Sequence, residues 1–251
     1  MRAALLRRAR RALPGVPMLE LLSFGPNGWG GQLLMGTAMT VAVAVSAFAF
    51  GILVGSLGAS AKLSQSLALS VAADAYTTVV RGIPELLVIY LLFFGGNSMA
   101  TAIAGVFGYD GRVELDAFII GMLSVGLISG AYSTEVIRGA VQSVPFGQIE
   151  AARACGMSRW LILRRVLVPQ TMRFALPGLG NVWQLTLKDT ALVSVTSLAE
   201  LMRVSRLAGS ATRDYFLFYG AAAVLYLLLT TLSTALFSRA EQVANRGVRR
   251  A

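Results

Sequence analysis

Long apolar runs separated by short polar, arginine-bearing stretches organise this chain. About 20 predominantly apolar residues are needed to cross roughly 30 Å of hydrocarbon. The uncharged stretch from Leu21 to Ala61 supplies this, which predicts a first membrane helix at about 31–60. Residues 64–96 read as a second long helix carrying Asp74, Arg81 and Glu85, with a kink at Pro84, whose ring removes an intrahelical hydrogen bond. Glycines and charges at 97–114 read as a loop. A third helix follows at 115–141. The polar stretch 142–173 precedes a fourth at 174–201, interrupted by Lys188 and Asp189. The last run, 215–238, carries no charge and leads into Arg239, Arg246, Arg249 and Arg250. The pattern predicts an all-α integral membrane protein of about five transmembrane helices. It has one membrane domain at 28–240, between a basic N-terminal extension, 1–27, and a basic tail, 241–251.

Composition agrees with a bilayer as solvent: 56% of the 251 residues are hydrophobic and 14% charged, against roughly 25% charged in soluble domains. Mean hydropathy is +0.68. The net charge of +10 does not mark a nucleic-acid surface, because the arginines flank apolar runs instead of covering a polar domain. Membrane lipid, not nucleic acid, is the expected surrounding. The absence of histidine and the single cysteine, Cys155, exclude histidine bases, histidine-held metals and an intrachain disulfide. No Gly-Lys pair is present to close a phosphate-binding loop. No catalytic residue, metal or bound cofactor is therefore expected in this chain, and any ATP is bound by a partner. The pairs Gly51/Gly55 and Gly126/Gly130 have the four-residue spacing that lets helices approach closely in lipid.

Arginines gather on the cytoplasmic side of membrane proteins. This puts the loop with Arg153, Arg159, Arg164, Arg165 and Arg173 inside, with the C-terminal tail. Five helices then put the N-terminus outside, which conflicts with Arg2, Arg7, Arg8, Arg10 and Arg11. A start at Met18 resolves the conflict, as does a signal-like extension that is absent from the mature chain.

Within 142–173, Pro145 opens and Gly156 ends a short helix at about Phe146 to Cys155. A second helix runs from Ser158, a good N-cap, to a stop at Pro169. Ala151, Ala152 and Ala154 leave a thin ridge able to enter a partner's groove, and Glu150 offers a charge to fix the register. The physical chemistry alone describes a docking handle.

Glu150-Ala151-Ala152, Gly156 after three intervening residues and the later Leu176-Pro177 resemble the EAA signature of ATP-binding-cassette (ABC) importer permeases. Arg81-Gly82-Ile83-Pro84, Gly130-Ala131-Tyr132, Thr134-Glu135, Arg138-Gly139-Ala140 and Lys188-Asp189-Thr190-Ala191-Leu192 extend the resemblance to the polar amino acid branch of HisQ/HisM type. It covers roughly Gly28 to the end. The resemblance implies a MetI-like, type I importer fold: a multi-pass permease of the bacterial inner (plasma) membrane whose loop, through Glu150, Ala151, Ala152 and Gly156, docks onto an ATPase. It implies two copies of that ATPase using ATP and Mg, a second permease subunit (a sister chain or a second copy) and a periplasmic substrate-binding protein. The implied substrate is a polar, basic amino acid (histidine, arginine, lysine or ornithine) or an opine.

Ionisable residues inside a membrane are costly and therefore functional candidates. With entry near Leu176, Lys188 and Asp189 fall roughly 18 Å along their helix, near the middle of the bilayer. Asp189 could attract a cationic side chain, the two could grip a zwitterion, or they could pair with each other. Glu135 can pair with Arg138 three residues on, or face the pathway. Arg81 and Glu85, one turn apart, form either a carboxylate clamp or an intrahelical pair. An ion-coupled secondary transporter and a non-transporting scaffold are the rival functions. Neither accounts for a docking handle.

Overall fold

The computed structural model describes residues 18–25, 28–109, 111 and 113–245. The basic extension's arginines, on which the choice of start turns, and Arg246, Arg249 and Arg250 lie outside them. Among the described residues the structure is helical with no strand. A single turn at Met18–Leu21 precedes α1 (Gly30–Lys62), α2 (Leu67–Gly82), α3 (Glu85–Val106) and α4 (Ala117–Gln142). The handle follows as α5 (Phe146–Ala154), a turn at Arg159–Ile162 and a π-helical turn at Leu163–Leu167. Then come α6 (Val168–Asp189), a 3-10 segment at Thr190–Thr196, α7 (Leu201–Thr212) and α8 (Tyr215–Ala244). By length and apolar composition α1, α3, α4 and α8 can cross a membrane.

Three expectations are corrected. The helix expected over 64–96 is two helices: Ile83 is extended, φ −110° and ψ 153°, because the ring of Pro84 disfavours helical geometry in the residue before it. The loop expected over 97–114 is helical as far as Val106. Glycines that punctuate a soluble helix are tolerated in an apolar one, and α3 absorbs Gly95 in a π turn at Leu91–Gly95. Two of its polar side chains hold the returning chain, Asn97 Oδ1 accepting from the Leu115 amide at 2.9 Å and Thr101 Oγ1 from that of Val113 at 3.1 Å. Pro169 does not stop the handle's second helix, which continues into α6 and ends at Asp189 instead of 201. The π turn just before Pro169 widens the ladder where the proline lacks its donor. With Gln170, Arg173, Asn181, Gln184 and Lys188 along it, α6 falls outside the helices apolar enough to qualify as spans.

The chain forms two compact units. One holds the described residues up to Ser46, with Ile89–Ser124 and Leu187–Thr230. Its core joins Trp29, Leu33, Leu201, Val204, Ala208, Phe218 and Ala222, the Trp29 and Phe218 rings meeting edge to face at 6.2 Å. The buried set 201, 204, 205, 208 and 209 makes α7 an amphipathic helix. The buried Glu200 caps it, accepting from the Met202 and Arg203 amides at 2.8 and 2.6 Å.

The other unit holds Ala47–Val88, Val125–Thr186 and the chain from Thr231. Here α1 lies directly on α4. A β-carbon on Gly55 would stand 2.5 Å from Ser133 Cβ, and one on Gly51 2.7 Å from Ser129 Oγ. One on Gly126 would stand 3.0 Å from the Ala47 carbonyl oxygen. The predicted glycine pairs thus form one seam between the two helices. Phe48, Trp183 and Phe237 pack beside it, edge to face at 5.3 Å for Phe48 and Trp183.

Candidate functional site

Three residues, Ser143 to Pro145, separate the handle from α4. The carbonyls at the end of α5 are closed by a glycine-ended motif: the Gly156 amide donates to the Arg153 carbonyl at 2.9 Å and the Met157 amide to the Ala152 carbonyl at 3.1 Å. Gly156 has φ +74°, a conformation that disfavours any side chain. The spacing from Glu150-Ala151-Ala152 to Gly156 is therefore the length of one such closure, Ala152 supplying the carbonyl and Gly156 the left-handed residue. Ala152 is buried, while Glu150, Ala151 and Ala154 are exposed. The predicted ridge is thus made by Ala151 and Ala154, with Glu150 beside them and Ala152 turned inward. Ser158 caps the following turn, its Oγ accepting from the Leu161 amide at 3.4 Å. Gln170 donates to Gln148, tying α5 to α6.

Beyond the handle, the same unit gathers the charges of α1, α2 and α4. Lys62 Nζ, at the end of α1, lies 2.7 Å from Asp74 Oδ1 and 2.5 Å from Glu135 Oε1 and donates to Thr77 Oγ1 at 2.7 Å. Glu135 Oε2 also accepts from Arg138 at 2.9 Å, the pairing its spacing allowed. Glu135 is thus committed to an ion cluster in this structure. Sequence reasoning missed Lys62, because its partners are 12 and 73 residues away and only folding joins them.

Arg81 and Glu85 are not one turn apart on a helix, as predicted, but on opposite sides of the break at Ile83-Pro84. Both meet Tyr132 of α4: the Arg81 guanidinium carbon lies 5.3 Å from its ring centroid, and its hydroxyl donates to Glu85 Oε1 at 3.4 Å. Lys188 and Asp189 belong to the other unit, as the last two residues of α6, where the helix tightens into the 3-10 segment. Lys188 is exposed and Asp189 half-buried. Glu200, also missed, is the largest buried acidic side chain in that unit. The amphipathic run after it was the signal that could have revealed it.

Residues 50–249 match the family described as "binding-protein-dependent transport system inner membrane component". The chain belongs to that family. It is a permease subunit of an ABC importer, an inner-membrane component and not itself a catalyst. The nopaline transport system permease protein NocQ of Agrobacterium fabrum is 55% identical over 92% of this chain and 98% of its own length. The octopine transport system permease protein OccQ of Rhizobium meliloti is 53% identical over the same shares. The histidine/lysine/arginine/ornithine permease protein HisQ of Escherichia coli is 38% identical over 89% of this chain and 98% of itself. A crystal structure of an amino acid ABC transporter with histidines superposes with a TM-score of 0.74 at 31% identity, covering 90% of this chain and 98% of that one. The MetNI methionine transporter, at 18% identity and a TM-score of 0.69, shares the fold. The importer permease fold expected from the signature is the one observed, and the family assignment removes the ion-coupled carrier and the scaffold as readings.

Proposed function

We propose that this permease imports an opine or a basic amino acid, driven by two copies of a separate ATPase that binds ATP and Mg and docks on the handle. The observation that carries the substrate class is the 53–55% identity, over 92% of the chain, to permeases named for nopaline and octopine. The permeases named for histidine, lysine, arginine and ornithine stand at 38%. The handle and the C-terminal tail face the cytoplasm, consistent with the arginines around them. Glu150, Ala151 and Ala154 form the contact surface and Gly156 closes the helix that presents them. A periplasmic binding protein delivers the substrate, and a second permease subunit, a sister chain or another copy, completes the pathway.

Lys188 and Asp189 lie where α6 tightens into the 3-10 segment. The Asp189 carboxylate suits a cationic side chain, and the Lys188 ammonium suits a carboxylate, so together they match a substrate carrying both. Arg81 and Glu85, both held by Tyr132 at the break between α2 and α3, border the pathway without contacting the substrate. The test is ATP-dependent uptake of labelled nopaline, octopine, arginine, histidine and glutamate into proteoliposomes holding the complete transporter. Import of nopaline, octopine or arginine, lost selectively for cationic substrates in Asp189→Asn, is expected. Equal uptake of glutamate, or an unchanged substrate profile in Asp189→Asn, would contradict the assignment.

A further inference from the structure

A single α4 side chain, Tyr132, touches both sides of the break between α2 and α3. Arg81 lies in the last turn of α2 and Glu85 is the first residue of α3. The extended Ile83 between them and the missing amide of Pro84 interrupt the backbone ladder. Side chains must therefore hold the angle between the two pieces. Tyr132 supplies two such contacts, its ring face to the Arg81 guanidinium and its hydroxyl to Glu85. A cation over a ring and a hydroxyl on a carboxylate can be broken and remade as a joint moves, unlike an interdigitated apolar contact.

Tyr132 is also well connected to the handle. It stands ten residues before Gln142, the end of α4, about 15 Å along the helix. Only Ser143, Val144 and Pro145 separate Gln142 from α5, and the Ser143 amide still donates to the Gly139 carbonyl at 3.0 Å. The close seam with α1 leaves α4 no room to bend at Ser129 or Ser133. A displacement of α5 therefore reaches Tyr132 as movement of α4 as a body.

We infer that Tyr132 is a positioning residue: it ties the angle of the α2–α3 break to the position of the handle, so that handle motion becomes motion at the break. The inference rests on the reading of the handle as the ATPase contact. The experiment is import per ATP hydrolysed by the complete transporter in proteoliposomes, for wild type, Tyr132→Phe, Tyr132→Leu, Arg81→Gln and Glu150→Ala. Tyr132→Leu hydrolyses ATP within about twofold of wild type but imports at least tenfold less per ATP, at an unchanged half-saturating concentration of loaded binding protein. Tyr132→Phe keeps the ring over Arg81 but loses the contact to Glu85, and Arg81→Gln loses the other contact, so each falls at least about threefold in import per ATP and Tyr132→Leu, which loses both, falls furthest.

Spin labels at Thr78→Cys and Leu87→Cys, both exposed, in a Cys155→Ser background, report the break directly. Their separation changes on ATP binding with Tyr132 present and stays fixed in Tyr132→Leu. Wild-type import per ATP in Tyr132→Leu, or a change of half-saturation alone, overturns the inference; the latter would make Tyr132 a substrate contact. If Tyr132→Leu does not assemble, wild-type coupling in Arg81→Gln overturns it instead. Wild-type coupling in Glu150→Ala would sink the docking reading, while an uncoupled Glu150→Ala beside a coupled Tyr132→Leu would sink this inference alone.

Discussion

α4 meets α1 and α2 in opposite ways. Against α1 it presents Ser129, Ser133 and Thr134, so close to Gly51, Gly55 and Gly58 that an added β-carbon has no place. Against α2 it makes polar clips: Tyr76 to the Leu127 carbonyl at 2.6 Å, Tyr132 with Arg81, and, through Lys62 of α1, Glu135 with Asp74. A seam of small side chains has one register, and any shift opens voids. A clip can exchange partners while the helices slide. The contrast makes α1 and α4 a fixed pair and α2 the element free to change its pose.

The largest effect expected from breaking this contrast is at the seam. Gly55→Leu should cost at least about 3 kcal/mol, since overpacking alone costs 1–3 kcal/mol and here the obstruction is partly backbone. Loss of monodisperse complex in size-exclusion chromatography checks it. At the clips, Lys62→Met leaves Glu135 with Arg138 and the exposed Asp74 with solvent, so the loss should be about 1–2 kcal/mol. A thermal-shift comparison with Glu135→Gln and the double variant should return a coupling of about 1 kcal/mol. In the handle, Gly156→Ala places a side chain at φ +74° and should cost about 1 kcal/mol locally. That loss should appear as weaker stimulation of the ATPase at unchanged global stability. Ser158→Ala removes a long cap bond and should cost only about 0.5 kcal/mol, readable as faster amide exchange at Leu161.

Legibility in the sequence followed the same division. Apolar length gave the bounds of α1 and α4 to within a residue or two, because membrane spans answer to one property, and glycine spacing gave the seam. The clips were not legible: Lys62, Glu135 and Asp74 come from three segments, and Tyr132 meets Arg81 only once the chain is folded. Pro84 was read as a kink because its own missing hydrogen bond was weighed and its steric effect on Ile83 was not. Gly105 and its neighbours in 97–106 were read as a loop by rules that hold in water. At α7 the alternation of Arg203 and Arg206 with Leu201, Val204 and Ala208 hid an amphipathic helix in the stretch left unassigned between the spans expected at 174–201 and 215–238. The handle was legible because its signal is local, a capped helix closed by one left-handed glycine.

The central claim, that this handle is where the transporter's ATPase drives the permease, can be tested without altering the chain. Cys155 is its single cysteine, exposed between Ala154 and Gly156. A photoreactive maleimide on Cys155, activated in the complete transporter in proteoliposomes, should join this chain to the ATPase subunit, with a yield that changes on ATP binding. An intact, importing complex in which Cys155 reacts freely and never cross-links to the ATPase would contradict the account.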